Sequence, residues 1–151
     1  MRRNEKEITD KAVIDSIIRR CEVCRLGMSD NGQPYVVPLN FGYDGQVLYF
    51  HCAKKGRKLD ILRKNNQVCL EFDMVERVVE ADTACEWGTA YKSVIGFGTA
   101  RLIEDAQEKK KALDLLMAHY SNRSFSYLEA VLKRTAVVKV TIHTLTGKQS
   151  I

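Results

Sequence analysis

The chain has 151 residues, of which 45% are hydrophobic and 28% charged, and its formal net charge is +5. These values predict one soluble globular domain, and the absence of any run near ~20 apolar residues excludes a membrane-spanning helix. The charged N-terminus MRRNEKEITDK has no apolar centre and is not typical of a secretory signal, so the five cysteines are expected to be reduced thiols in the cytoplasm.

The first third of the chain predicts a helix followed by a meander of strands. Thr9 and Asp10 can cap the helix, whose apolar residues at 13, 14, 17 and 18 have helical spacing. Strands are then expected near 23–29, 34–43 and 46–52. The turn signals Asp30-Asn31-Gly32 and Asp44-Gly45 separate them.

The rest of the chain continues this mixed pattern. A basic helix is predicted over 57–64, a half-buried strand over 67–74, a strand pair with a loop within 75–92 and a long strand over 93–104. Asp105 and Glu108 form a capping box for the next helix, and a shorter helix near 125–133 precedes a last strand around 138–142. About six strands and three or four helices predict an α+β fold, mainly β, in which a small antiparallel barrel with helices outside forms a single domain over 1–151.

The positive charge is concentrated in one segment. Between Lys54 and Lys64 there are six basic residues and one aspartate, whereas the remaining 18 basic and 18 acidic residues cancel. A nucleic-acid-binding domain usually spreads its basic residues over a face or a tail. The segment therefore predicts a focused site for a small anion.

The basic residues also stand at the start of the predicted helix, where the helix dipole favours anions. Backbone N–H groups, Arg57 and Lys58 could bind a phosphate there, and Gly56 would allow a close approach of the backbone. A solvated charge run is the alternative interpretation.

The segment YVVPLNFGY, 35–43, alternates large apolar residues at its odd positions with small or polar residues at its even positions. The odd positions are expected to face a core and the even positions to form a shallow face, with Pro38 confining the strand to a sheet edge. Because the Asp44-Gly45 turn leads back along QVLYFHC to the basic segment, the shallow face and the basic helix are expected to be neighbours. A flat ring and a phosphate could occupy the two together, although a plain edge strand is the alternative.

Three blocks of the chain resemble the 5-nitroimidazole resistance (nitroimidazole reductase) family, within the pyridoxamine 5′-phosphate oxidase-like flavoproteins. They are MRR-x-x-x-x-ITD, the long block CRLGMSDNGQPYVVPLNFGYDGQVLYFHCAKKGRKLDILRKN and SVIGFGTARLIED. The resemblance covers nearly the whole chain. It implies an FMN-binding split β-barrel that forms a homodimer, with the flavin at the subunit interface and both chains contributing to each site.

The resemblance also implies roles for particular residues. Arg57 and Lys58 match the basic pair that holds the FMN phosphate, with Lys54 as a helper. One strand here matches the strand that runs along the isoalloxazine ring, and one histidine matches the family's histidine near the cofactor. Two further residues match the part of the second subunit that would close the site. The residues matched are Val37, Pro38, Leu39 and Asn40 for the strand, His51 for the histidine, and Trp87 and Ser93 for the second subunit.

Several of these residues also have a purely structural interpretation. His51 could be a hydrogen-bonded strand residue, and Trp87 could cap the barrel or the dimer interface. Cys21 and Cys24 form a C-x-x-C without a second pair at zinc spacing, so we expect no metal site and mostly structural cysteines.

The sequence thus predicts an FMN-dependent oxidoreductase that takes electrons from a reduced donor, such as a nicotinamide nucleotide, and passes them to a small planar acceptor. The resemblance indicates a nitroaromatic acceptor, with His51 as the candidate catalytic residue. Two alternatives stay open: a pyridoxamine or pyridoxine 5′-phosphate oxidase, and a non-catalytic module that binds flavin or haem. A nucleic-acid-binding barrel is disfavoured because few aromatic residues accompany the basic cluster.

Overall fold

A computed structural model of the chain describes residues 4–150, so Met1, Arg2 and Arg3 of the family motif lie outside the described residues, as does Ile151. Four α-helices are described, and their bounds are α1 Lys11–Arg20, α2 Arg57–Lys64, α3 Ala106–Tyr120 and α4 Glu129–Arg134. The eight strands described are β1 Glu7–Ile8, β2 Cys24–Asp30, β3 Gln33–Leu39, β4 Gly42–Tyr43, β5 Val47–Ala53, β6 Gln67–Val79, β7 Gly88–Ile103 and β8 Thr135–Ser150. None of the helices in this range is long and apolar enough to cross a membrane.

All strand pairs described are antiparallel, in the order β3-β2-β6-β7-β8-β5-β4, with β1 added to β8. Within residues 4–150 the two end strands, β3 and β4, do not pair with each other, so the sheet curves around its core as a split barrel and not a closed one. The predicted α+β class and antiparallel split barrel are confirmed. The expected count of about six strands was too low, because the short β1 and β4 carry no readable alternation.

The single strand predicted over 34–43 is wrong. β3 ends at Leu39 and pairs with β2, whereas β4 pairs with β5 at the opposite end of the sheet. At the break the backbone N–H of Phe41 donates to Tyr120 Oη (3.1 Å) and not to a neighbouring strand. The predicted faces are nevertheless right: the odd positions from 35 to 43 all belong to the core or pack against it. Pro38 does lie in an edge strand.

The later strands are longer than their sequence patterns indicate. β6 and β7 pair from Gln67–Thr99 to Val79–Gly88, and β8 accompanies β7 only as far as Tyr91. Residues 75–90 therefore extend beyond the sheet as a two-stranded hairpin arm. Its tip contains a short 3-10 turn, Ala84–Glu86, which agrees with the strand pair and loop predicted for 75–92. The arm was hard to delimit because most of its residues are exposed and lack a one-sided apolar pattern.

The helices close the core at its edges. Asp10 and Asp105 cap α1 and α3 by accepting hydrogen bonds from the backbone N–H groups of Ala12 and Glu108, as predicted. The short α2 buries Leu59, Ile61 and Leu62 in the main core, which leaves its basic residues at the surface. α2 is thereby fixed between the end of β5 and the start of β6, with its N-terminus at the barrel rim.

Candidate functional site

The chain turns from β5 into α2 at Gly56, which has φ 146° and ψ 160°. Residues with a side chain rarely adopt this positive φ. No atom lies within 4 Å of the position that a Cβ would take, so the space beside Gly56 is open. Gly56 is also the residue that precedes the first turn of α2, and it offers no side chain to cap the helix. The first backbone N–H groups of α2 thus have no side-chain acceptor and can bind an external anion.

The basic residues at this turn are held by aromatic rings. The guanidinium carbon of Arg57 lies 4.5 Å from the centre of the Tyr35 ring, and Lys58 Nζ lies 5.2 Å from the centre of the Phe50 ring. These cation–π contacts orient the two charges and fix the start of α2 beside β3 and β5.

Their charges have no acidic counterpart. Among the described residues, no carboxylate lies within 4.0 Å of Lys54, Lys55, Arg57 or Lys58, although Arg63 and Lys64 further along α2 pair with Asp60 and Asp30. Four cations without a carboxylate partner in the described part of the chain, beside N–H groups without a side-chain acceptor, have the chemistry to bind an anion. The cations therefore stand at the helix end whose dipole favours anions, as the sequence indicated.

β3 contacts the basic turn through a different face from the one expected. The Arg57–Tyr35 contact joins α2 to the odd, core-directed positions of β3, whereas Val36, Pro38 and Asn40 are exposed on the other face. The expectation that the shallow face adjoins the basic helix is wrong in this respect, because alternate residues of a strand point to opposite faces. As β3 is an edge strand that pairs with β2 alone among the described strands, half of its backbone N–H and C=O groups face away from the sheet along the rim.

His51 lies near the end of β5, paired through the backbone with Val137 of β8. Its side chain is exposed, and the alternation of the strand places it on the face opposite Phe50 and its lysine. Next to it, burial raises the pKa of the Cys52 thiol, and the positive charges of Lys58 and Arg63 offset part of that increase. His51 and the basic turn are thus neighbours in the chain that point to different sides of β5.

Trp87 lies far from these groups within one chain. Trp87 is 52% exposed at the arm tip, where its Nε1–H donates to Ala81 O (2.7 Å), and Ser93 pairs with Asp73 and Lys148. Tyr35 is adjacent to Val36, whose row across the sheet ends at Phe97, and Trp87 lies ten residues from Phe97 along the chain. At about 3.3 Å per residue this is on the order of 30 Å. One chain does not bring Trp87 to the basic turn.

Sequence reasoning missed a polar clamp formed by the end of α3. Tyr120 Oη accepts from the Phe41 N–H and donates to Glu22 O (2.7 Å). His119 Nε2 lies 2.8 Å from Cys21 O, and its ring packs 4.4 Å from that of Phe41. These bonds fix the break between β3 and β4. A His-Tyr pair at a helix end has no distinctive spacing, so no sequence signal could have revealed the clamp.

A charged cluster on the outer face of the sheet was also missed. Arg25 Nη1 contacts both Glu71 Oε2 (3.2 Å) and Asp73 Oδ1. Burial and the charge of Asp73 raise the pKa of Glu71, although Arg25 opposes this. The three residues come from β2 and β6, and only the strand register brings them together.

The cysteines are free thiols, and Cys21 and Cys24 are buried at the end of α1 and the start of β2. Burial raises the pKa of Cys21 to about 11 and that of Cys24 further. Both are therefore protonated near neutral pH, which favours the structural interpretation. Within residues 4–150, no three His, Cys, Asp or Glu side chains come together as a possible metal site.

The family model for pyridoxamine 5′-phosphate oxidase matches residues 10–149 of this chain. The chain belongs to the pyridoxamine 5′-phosphate oxidase family. This confirms the wider resemblance noted in the sequence, and the match spans every element described above except β1 and the first residues.

Solved structures agree with this membership. A candidate 5-nitroimidazole antibiotic resistance protein from Bacteroides thetaiotaomicron is 38% identical, with a TM-score of 0.87 over 95% of this chain and 86% of that chain. The narrower resemblance to the nitroimidazole resistance proteins is thereby confirmed as well. A search of curated proteins found no match.

More distant members of the pyridoxamine 5′-phosphate oxidase family fold share the architecture alone. The flavocytochrome Anf3 from Azotobacter vinelandii is 23% identical, with a TM-score of 0.88 over 100% of this chain and 72% of that chain. A FAD and heme binding protein from Mycobacterium smegmatis is 21% identical, with a TM-score of 0.88 over 96% of this chain and 73% of that chain. Both support the split-barrel assignment.

Proposed function

We propose that this protein is an FMN-dependent oxidoreductase whose flavin phosphate binds at the start of α2. The observation that carries the proposal is the set of four cations at 54–58 that have no carboxylate partner among the residues described, beside the uncapped N-terminus of α2. A phosphate monoester brings up to two negative charges and three acceptor oxygens, which match Arg57, Lys58 and the free N–H groups. The neighbour that is a FAD and heme binding protein supports a flavin as the ligand of this fold.

The residues around the turn fit such a ligand. The open space at Gly56 admits a phosphate close to the backbone, and the rings of Tyr35 and Phe50 orient Arg57 and Lys58 beforehand. The unpaired edge of β3, from Val37 to Asn40, offers backbone donors and acceptors to the rim of a planar ring. These residues would bind and orient the cofactor, and the flavin itself would supply hydride and electron transfer.

We also propose that a second copy of the chain completes each site. A row of small and apolar residues crosses the outer face of four strands in direct register: Val36, Gly27, Cys69 and Phe97. Val36 and Phe97 are 61% and 57% exposed, and a groove of about 370 Å³ lies along this row. Large exposed apolar side chains in a continuous patch are typical of an interface.

A homodimer through this face also gives the arm a role. Since Trp87 is too far from the basic turn of its own chain, it would contribute, together with Ser93, to the site of the partner chain and exclude water from it. His51, exposed at the end of β5, would lie beside the cofactor and position the substrate or move a proton at its imidazole nitrogens. The five free thiols suit a reducing cytoplasm.

Ultraviolet–visible spectroscopy tests the cofactor. Purified protein titrated with FMN should show a bound-flavin spectrum that dithionite bleaches, and gel filtration should keep the flavin with a dimer. Protein that ignores FMN would overturn the proposal. The Arg57→Ala variant should bind FMN at least roughly tenfold more weakly, since a hydrogen bond to a charged group contributes about 1.5–3 kcal/mol.

Turnover assays then identify the acceptor. We expect the FMN-loaded protein to oxidise reduced nicotinamide nucleotide when a 5-nitroimidazole is present. Steady oxidation of pyridoxine 5′-phosphate would favour the oxidase alternative. Tight flavin binding without oxidation of any reduced nicotinamide would favour a non-catalytic module.

A further inference from the structure

Two adjoining cavities share Lys54 with the basic residues of the proposed flavin site. Their volumes are about 360 and 190 Å³, and both are lined by Lys54, Glu104 and Lys109. Ala106, Tyr127 and Leu132 supply apolar and aromatic surface to the larger one. We name the pair the lysine cavity. Its combined size is within the range of small-molecule sites.

Positive charge converges on the lysine cavity from four segments of the chain. The chain before α2, α2 itself, the first turns of α3 and the end of α4 each contribute, and the cations are Lys54, Arg63, Lys109, Lys110 and Lys133. Only Glu104 and Glu129 oppose them in the lining, and Glu129 is engaged with Lys133 (3.2 Å). The lining thus carries an excess of positive charge.

Lys109 is the most informative of these cations, because it is the one buried charged residue in the described part of the chain, at 7% exposure. Its Nζ donates to Thr135 O (3.1 Å) and Leu132 O (3.4 Å), the carbonyls at the end of α4. Among the described residues, no carboxylate lies within 4.0 Å of this ammonium group. Buried cations are normally paired with an anion, because carbonyl oxygens satisfy the donors but leave the charge.

We propose that the lysine cavity binds the phosphate group of a small molecule, at a site separate from the flavin phosphate. A phosphate there would neutralise Lys109 and engage Lys110 and Lys133, with any organic part against Tyr127 and Leu132. The Tyr127 hydroxyl already donates to Asp114 Oδ1 (3.0 Å), so the ring face is the part available. This inference goes beyond the proposed function and does not require a flavin.

Titration calorimetry on the full chain, with and without saturating FMN, tests the proposal. Inorganic phosphate and phenyl phosphate are the probes, with phenol as the uncharged control. Binding of both probes with equal affinity identifies the free anion as sufficient, and at least roughly tenfold tighter binding of phenyl phosphate identifies an organic phosphate. Either result supports the site, provided that phenol does not bind and FMN does not compete. Absence of binding by both probes, or competition with FMN, would overturn it.

Variants locate the binding. Lys109→Met preserves most of the side-chain volume, whereas Lys110→Ala and Lys133→Ala change exposed residues and should leave the fold intact. Each is expected to weaken phenyl phosphate binding by about tenfold or more. Lys111→Ala, on the same helix but outside the lining, is the matched control. Equal weakening in Lys111→Ala and Lys110→Ala would mean that only the general charge of α3 attracts the probe, and the proposal would fail.

Discussion

The guanidinium group of Arg57 stacks 4.5 Å above the ring of Tyr35, and this contact joins the start of α2 to the edge strand β3. Within residues 4–150 no carboxylate lies within 4.0 Å of Arg57, so the ring is what holds the cation in place. A guanidinium group fixed in this way can meet a phosphate with little further loss of side-chain freedom.

The Arg57–Tyr35 contact predicts a graded effect on flavin affinity. Arg57→Lys keeps the charge but loses the planar stacking, so its FMN affinity should fall between those of the wild type and Arg57→Ala. Arg63→Ala, which removes a cation paired with Asp60 on the same helix, should change the affinity little. Quenching of flavin fluorescence measures all three. Equal losses in Arg57→Ala and Arg63→Ala would show that net charge alone attracts the ligand.

The outer sheet face predicts the effect of a charge on self-association. Phe97→Lys should shift the protein from dimer to monomer, with a dissociation constant at least roughly a hundredfold higher, because the ammonium group would lose its water in an apolar interface. Val131→Lys on α4 is the control, since that valine is also exposed, at 44%, but lies away from the row. Sedimentation velocity measures both. A dimer that tolerates Phe97→Lys would place the interface elsewhere.

Gly42 predicts a cost of added volume. A Cβ there would lie 2.6 Å from Leu116 N and 2.8 Å from Leu115 C, both in the backbone of α3. Gly42→Ala should lower the free energy of unfolding by about 1–3 kcal/mol, since neither β4 nor α3 can move freely. Gly88→Ala, where a Cβ meets no atom within 4 Å, should change it by less than about 0.5 kcal/mol. Urea unfolding compares them, and equal values would contradict the close packing.

The hydrogen bonds of Tyr120 at the break between β3 and β4 predict that removing them disorders the backbone locally. Tyr120→Phe leaves the Phe41 N–H and the Glu22 carbonyl without their partner, which should cost about 1–2 kcal/mol of unfolding free energy. Hydrogen exchange at the Phe41 amide should accelerate more than the global loss explains. Tyr127→Phe removes one bond to an exposed Asp114 and serves as the comparison. Unchanged exchange at Phe41 would show that the clamp is dispensable.

Asp15 predicts a pH dependence of stability. Burial raises its pKa, but hydrogen bonds from Lys11 (2.5 Å) and Tyr43 (2.6 Å) outweigh this and lower it below the model-peptide value of 3.8. A lowered pKa stabilises the folded state above the unfolded value and loses this effect as pH falls through the folded value. Asp15→Asn should therefore cost about 1–2 kcal/mol at pH 7 and progressively less as the pH falls below 3.8 and through the folded-state pKa. Asp82→Asn, in the exposed loop of the arm, is the control, and a cost of Asp15→Asn that does not change with pH would contradict the prediction.

Local patterns predicted most of the fold. Alternation identified β5 to β8, caps located α1 and α3, and the odd residues from 35 to 43 were assigned to the core correctly. The break at Asn40 and Phe41 could not be foreseen, because it depends on Tyr120, 79 residues away along the chain from Phe41. Strand order also depends on such distant contacts, which a single sequence does not display.

The basic turn was predictable because its four cations lie within five positions of the sequence, from Lys54 to Lys58. The lysine cavity was not, since Lys109 reads as one more lysine in KKK until the end of α4 is placed beside it. Arg25 and its two acidic partners were missed for the same reason. The roles of His51, Trp87 and Ser93 toward a cofactor remain predictions.

The distance between the arm and the basic turn has a genetic consequence. If Trp87 of one chain serves the turn of the other, Arg57→Ala and Trp87→Ala damage different halves of a site. A mixed dimer of the two variants would then contain one doubly damaged site and one intact site. Two inactive proteins, unfolded and refolded together, would regain up to a quarter of wild-type turnover if chains pair at random, whereas neither recovers alone.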